Sequence, residues 1–201
     1  MANMVRFGLK NVHYAVYTEG QSGGAGSYGT PKPIVGAVQL TTTPEGDSYT
    51  FYADDVAFYA TETNAGYSGT VNVAAVNDEF LTDVLGYKAD ETSGLTYEAT
   101  DAVPKQVALL FEVGGNIEQQ RAVFYNVTFS RMEGENNTRA DSTEPDTVTL
   151  NFTAIGRDFT VSGQTVNVVR AHCSNAESTH EAYDAFFEKV VCPGTDPAGG
   201  E

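Results

Sequence analysis

The stretch from Gly66 to Gly86 constrains the fold most, because a strand in it runs directly into a short helix. From Tyr67 to Ala75 apolar and polar residues alternate, and this period of two is typical of a half-buried strand. At Asn77 the period changes, since Asn77 is suited to cap a helix and Gly86 is suited to end it. A helix this short is unstable alone, so we expect it to pack across a sheet. Its apolar stripe predicts three core anchors, Phe80, Leu81 and Val84.

Apolar runs of strand length recur along the rest of the chain. Residues 49–61 form one of them, and it is interrupted at Asp54-Asp55 by a turn, a bulge or a kink. Residues 107–113 and 121–131 are expected to pair as a hairpin, with Val123, Tyr125, Val127 and Phe129 on one face. The pattern predicts a mainly β fold, an antiparallel β-sandwich or barrel with one packed helix and a short C-terminal helix.

The length of 201 residues and the pattern together predict a single domain over residues 1–201. Two polar segments are expected to form long loops, at about 19–33 and 132–146. An apolar face at helical spacing predicts the C-terminal helix at about 179–191. Residues 192–201 are expected to form a mobile tail.

The charge is strongly negative and unevenly distributed. Eleven basic residues oppose 27 acidic ones, which gives a net charge of −16 and argues against a surface that binds nucleic acid directly. No Lys or Arg lies between Lys32 and Lys88, although this stretch contains eight carboxylates. Such a stretch is typical of a solvated acidic face, and it also suits a surface that faces a polyanion without binding it.

Motifs for catalysis, metals or cofactors are weak. The G-x-G-x-x-G run from Gly24 to Gly29 is followed by prolines rather than by a helix, so we do not interpret it as a dinucleotide site. No zinc or Ca²⁺ ligand spacing occurs, and Cys173 and Cys192 are expected to be free thiols. We therefore expect no enzymatic activity, no cofactor and no metal site.

Several segments resemble the major tail tube proteins of bacteriophages with long, non-contractile tails. The similar runs are PEGDSYTFYADD and NAGYSGTVNVAAVNDEFLTDVLGY, with VRFGLKNVHYAVYTE, PKQVALLFEVGG and RAVFYNVTFSR elsewhere. The resemblance extends from about Val5 to Ile155. It implies a structural virion protein that assembles into stacked, hexameric rings and so forms the conduit for DNA ejection.

The same resemblance implies the partners and the location. The partners would be other copies of the chain, a tape-measure protein and a tail-terminator protein, with DNA passing through without specific binding and with no membrane. The location would be the virion tail, assembled in the host cytoplasm. The alternative function is a carbohydrate- or receptor-binding β-sandwich module, because Tyr-rich all-β domains with long loops often bind such ligands.

The resemblance and the charge together predict candidate sites. We hypothesise that some of five carboxylates face the lumen of the tube: Glu45, Asp47, Asp54, Asp55 and Glu62. The Gly-rich loop is a candidate contact between rings, through Gly23, Gly24, Gly26 and Tyr28. Three arginines are candidates for pairing with acids of a neighbouring subunit: Arg121, Arg131 and Arg139.

Overall fold

A computed structural model describes residues 8–20, 26–114, 119–133, 147–176 and 180–196. In these ranges the chain forms antiparallel strands and two short helices, which confirms the predicted mainly β class. The elements in chain order are β1 Leu9–Thr18, β2 Ser27–Tyr28, β3 Lys32–Pro33, β4 Ala37–Glu45, β5 Ser48–Ala53, β6 Val56–Glu62, β7 Gly66–Val73, α1 Asp78–Asp83, β8 Lys88–Asp90, β9 Leu95–Tyr97, β10 Val107–Val113, β11 Gln120–Phe129, β12 Val148–Ile155, β13 Arg157–Val161, β14 Gln164–Val168, β15 Arg170–Ser174 and α2 His180–Ala185.

One large sheet dominates the fold. Its strands follow the order β2-β1-β10-β11-β12-β7-β4, with β15 also paired to β11 and β3 also paired to β1. Although β1 and β4 are separated by four strands in this order, they approach each other where β3 leads into β4. The sheet is therefore curled, with β4 as an edge strand that pairs only with β7 in the described part of the chain.

The curled face encloses the main hydrophobic core. Buried side chains of β1, β7, β10, β11 and β12 meet there, and helix α1 covers them. Phe80 and Val84 are buried in this core, whereas Leu81 at the helix surface is partly buried. Asn77 caps the helix as the sequence predicts, because its Oδ1 accepts a hydrogen bond of 3.0 Å from the Phe80 N–H. Gly86 follows with a φ of +76°, as the predicted left-handed stop requires.

A β-bulge in β11 corrects the predicted single apolar face of this strand. Val107 pairs with Val127 but Leu109 pairs with Phe124, so β11 has one residue more than β10 over this interval. An extra residue reverses the alternation of side chains beyond it. Val123 and Tyr125 consequently lie in a second core on the outer face, whereas Val127 and Phe129 lie in the main core.

The C-terminal segment covers that second core and corrects the predicted helix length. Helix α2 ends at Ala185 rather than near residue 191. Beyond it, Phe186 is buried in the second core and the Val191 carbonyl accepts a hydrogen bond of 2.8 Å from the Tyr125 hydroxyl. Because of these contacts, the residues that follow Ala185 form turns and do not continue the helix. Cys192 also packs on this core, so the start of the predicted mobile tail is attached to the fold, while residues 197–201 lie outside the described residues.

Candidate assembly surface

The hairpin of β5 and β6 is the least buried regular structure in the described residues. Its strands pair with each other and with no other described strand. The large apolar side chains of the hairpin are between 48% and 78% exposed: Tyr49, Phe51, Tyr52, Val56, Phe58 and Tyr59. Contiguous exposed apolar surface of this kind marks an interaction site in a soluble protein.

The hairpin is a continuous, hydrogen-bonded extension of the β4–β7 pair rather than a separate loop. The Ala65 N–H donates to the Glu45 carbonyl at 2.9 Å, and the Thr63 N–H donates to the Asp47 carbonyl at 3.0 Å. These bonds join the last β4–β7 pair, Glu45 with Gly66, to the first pair of the hairpin. The β4–β5 and β6–β7 segments therefore project from the main sheet together as one two-stranded ribbon, and we call these two segments the arms of the hairpin.

The tip of the hairpin is a two-residue turn formed by Asp54 and Asp55, whose φ angles are +51° and +62°. Two left-handed residues between paired strands define a type I′ turn, which follows the natural twist of a hairpin. This geometry resolves the interruption that the sequence left open. Near the tip, a register shift places Phe58 as an extra residue opposite the step from Phe51 to Tyr52.

The two faces of the hairpin differ in composition. Phe51 and Tyr59 are directly opposite each other in the ladder, and Tyr49 lies two residues from Phe51 on the same face. The other face carries Ser48, Thr50 and Ala60 near the root. One face therefore carries three aromatic residues, whereas the other is small or polar near the root and carries Tyr52 near the tip.

The five predicted lumen-facing carboxylates lie at the two ends of this hairpin. Asp54 and Asp55 form its tip, and Glu45, Asp47 and Glu62 lie around its root. All five residues are exposed, and none forms an ion pair within the described ranges. The Glu45 carboxylate accepts a hydrogen bond of 2.5 Å from Ser68 Oγ. That these groups face a lumen remains a prediction.

Within the long loop expected at about 19–33, the short strands β2 and β3 pair with β1, so this part of the loop is attached to its own subunit. Tyr28 pairs with Tyr17 of β1, and its hydroxyl donates to the Tyr125 carbonyl at 2.6 Å. Gly26 lies so close to β1 that a Cβ there would fall 2.0 Å from the Tyr17 Oη. Gly23 and Gly24 lie outside the described residues.

Two of the three arginines proposed for contacts between subunits have partners within the chain. Arg121 Nε lies 3.2 Å from Glu112 Oε2, and its guanidinium stacks on the Tyr183 ring at 3.7 Å. Arg131 pairs with Glu98 at 2.5 Å. Arg121 therefore fastens helix α2 to the sheet, while Arg139 lies outside the described residues.

An apolar groove lies at the other end of β4 from the hairpin. One part has a volume of about 430 Å³, and an adjoining depression of about 270 Å³ shares Ile34, Val35 and Gly36 with it. Phe80 and Leu150 contribute to the first part, and Lys10 and His13 to the second. The sequence signal for this groove is the apolar run from Ile34 to Val38.

The described residues bring together no group of three or more His, Cys, Asp or Glu side chains that could hold a metal ion. Burial raises the pKa of both thiols, that of Cys192 to about 11, so neither thiol is activated as a nucleophile. No helix within the described residues is long and apolar enough to span a membrane.

No protein-family model matches the chain, and no curated protein matches it significantly.

Proposed function

We propose that this protein is the structural subunit of a bacteriophage tail tube, which self-associates into stacked, hexameric rings around a channel for DNA. The observation that carries the proposal is the β5–β6 hairpin, whose aromatic face is exposed on the monomer. Because such a surface is stabilised by burial against a partner, a chain that carries it is suited to permanent association. The resemblance to tail tube proteins supports a partner of the same kind.

Edge strand β4 supports the same proposal. Its outer backbone edge extends over nine residues, from Ala37 to Glu45, without a partner among the described strands. An unpaired edge of this length can accept a strand of a neighbouring subunit through backbone hydrogen bonds. Successive subunits would thereby extend one sheet around a central channel, and a tape-measure protein would occupy it during assembly.

The negative charge supports a channel for DNA. Duplex DNA carries about one negative charge per 1.7 Å, so a basic wall would hold it. Carboxylates repel it over about 8 Å at physiological salt. Some of the five carboxylates on the hairpin would line this wall, and a tube reconstruction with all five on the outer surface would contradict that assignment.

Electron microscopy of the purified protein tests the main proposal. The protein should form rings or hollow tubes, and a variant in which Asn-Gly replaces Ser48–Glu62 should remain folded but discrete. The body should tolerate this deletion because the Thr63 N–H to Asp47 carbonyl bond already closes the base of the hairpin. A wild-type protein that stays monomeric at high concentration would contradict the proposal.

The aromatic face also supports a second candidate function, a carbohydrate- or receptor-binding module. Tyr49 and Tyr59 expose broad ring surfaces on one side of the hairpin, and aromatic faces are common anchors in binding sites. In that case the wild-type protein would remain discrete and would be retained on a polysaccharide or cell-surface matrix. Tyr49→Ala should then abolish retention.

A further inference from the structure

We infer that the groove at the start of β4 receives the tip of the β5–β6 hairpin of a second copy of this chain. This inference rests on the proposed function and specifies which two surfaces join. The hairpin and the groove are exposed apolar features at opposite ends of the continuous segment formed by β4 and β5. Their chemistry and their positions both favour this pairing.

The apolar parts of the two surfaces are complementary in character. The tip half of the hairpin exposes Tyr52, Val56 and Phe58. The groove exposes Val35 at its rim and Ala74 and Ala75 in its lining, above the buried side chains of Phe80 and Leu150. Removing both surfaces from water together would stabilise the contact at roughly 25 cal/mol per Å² of apolar area.

The charges are complementary as well. The hairpin ends in Asp54 and Asp55, two exposed carboxylates without an ion-pair partner in the described residues. The groove opens towards the exposed Lys10, and the residues that line it within the described ranges include no carboxylate. A tip that enters the groove along its apolar part would therefore bring Asp54 and Asp55 close to the Lys10 ammonium group. In this arrangement Glu45, Asp47 and Glu62, at the root of the hairpin, would line the channel.

Geometry requires that the tip come from another copy. The groove lies beside Gly36, at the start of β4, and the tip follows Ala53, at the end of β5. At about 3.3 Å per residue, these 17 residues of arm extend for roughly 50 Å away from the groove. A chain therefore cannot fill its own groove while its hairpin remains extended.

A contact between two different surfaces is heterologous, so each copy donates a tip and accepts one. Such contacts continue from subunit to subunit until they close into a ring or extend as a filament. This is the symmetry that a tube of stacked rings requires between successive subunits. A two-fold dimer would instead need the same surface on both partners.

Two single substitutions at highly exposed positions test the pairing without disturbing the core. Val35→Asp blocks the groove and leaves the hairpin intact, whereas Phe58→Asp blocks the hairpin and leaves the groove intact; the two wild-type side chains are 74% and 78% exposed. Each variant alone should be monomeric by light scattering at concentrations at which the wild type assembles. An equal mixture should form a dimer with one copy of each, and growth should stop there.

The other outcomes are equally informative. If both variants form normal tubes, the inference is wrong while the proposed function stands. If Val35→Asp alone forms dimers, the hairpins contact each other and the groove is not the receiver. If the wild type does not assemble under any condition, the proposed function itself fails.

A charge exchange tests the orientation of the tip. Lys10→Glu should raise the concentration needed for assembly by about tenfold, because it opposes like charges across the contact. Adding Asp54→Lys and Asp55→Lys to the same chain should restore assembly. Thr18→Glu, an exposed change on the same strand, serves as the control and should leave assembly unaffected. A failure of the exchange to restore assembly would overturn the assignment of Lys10.

Discussion

Replacement of Phe80 by Ala should strongly destabilise the folded monomer. Phe80 is 2% exposed and is the buried side chain of the six-residue helix α1. Its ring makes edge-to-face contacts with Tyr14 at 5.2 Å and Phe129 at 5.3 Å between ring centroids. A helix this short depends on tertiary packing for its stability, so the loss of its anchor also weakens the docking of the helix itself.

The expected loss of unfolding free energy is about 3–5 kcal/mol, the usual effect of truncating a buried Phe. For a chain of this size that corresponds to a fall in Tm of roughly 6–20 °C. Urea unfolding followed by circular dichroism and tyrosine fluorescence, at a concentration below that of assembly, measures the free energy.

The matched control is the same substitution at Phe58, which is 78% exposed. Phe58→Ala should change the stability of the monomer by less than about 0.5 kcal/mol, since it removes no buried contact. The reasoning is refuted if Phe80→Ala costs less than about 1 kcal/mol, or if both substitutions have the same effect.

Three further predictions concern single side chains. Arg121→Met should reduce stability by about 3–5 kcal/mol in urea unfolding, because it leaves the buried Glu112 carboxylate without its cation and with only the Asn11 amide as a partner; adding Glu112→Gln should recover part of the loss. Asn77→Ala should reduce stability by about 1 kcal/mol in the same assay through loss of the helix cap, and no loss would mean that the cap is redundant. Alkylation of Cys192 at pH 8, followed by mass spectrometry, should be roughly 100-fold slower in the folded than in the urea-unfolded protein, since burial raises the thiol pKa from 9.0 to about 11. The folded state binds the thiol proton of Cys192 more tightly than the unfolded state does. The contribution of this thiol to the free energy of unfolding is therefore present below pH 9 and is lost as the pH rises towards 11. Equal rates of alkylation in the folded and unfolded states would contradict the burial of Cys192.

Local rules were sufficient for the elements whose side chains follow a simple period. The alternation in β7 and the cap at Asn77 are both visible in the sequence, and both occur in the structure. The pairing of β10 with β11 was also predictable, because the sequence separates two apolar runs by a short Gly-containing segment.

Features that depend on tertiary contacts were not predictable in the same way. Strand β11 supplies apolar side chains to one core on each of its two faces, and the bulge sets which residues enter which core. No local sequence rule predicts where such an extra residue is placed. Helix α2 ends at Ala185 because Phe186 enters the second core, although the apolar spacing continues beyond it. The groove combines the start of β4 with residues around Asn77, which are distant in sequence.

The continuity of the hairpin with the β4–β7 pair has a mechanical consequence. Tension applied at the tip along the arms is carried through β7 into β12, where seven residue pairs join the two strands. The force acts parallel to these strands, so it shears all the hydrogen bonds of the ladder at once instead of unzipping them one after another. A tether of this construction resists extension far better than a loop fixed at its two ends. The same arms can still bend where Gly46 and Asp47 interrupt the regular strand.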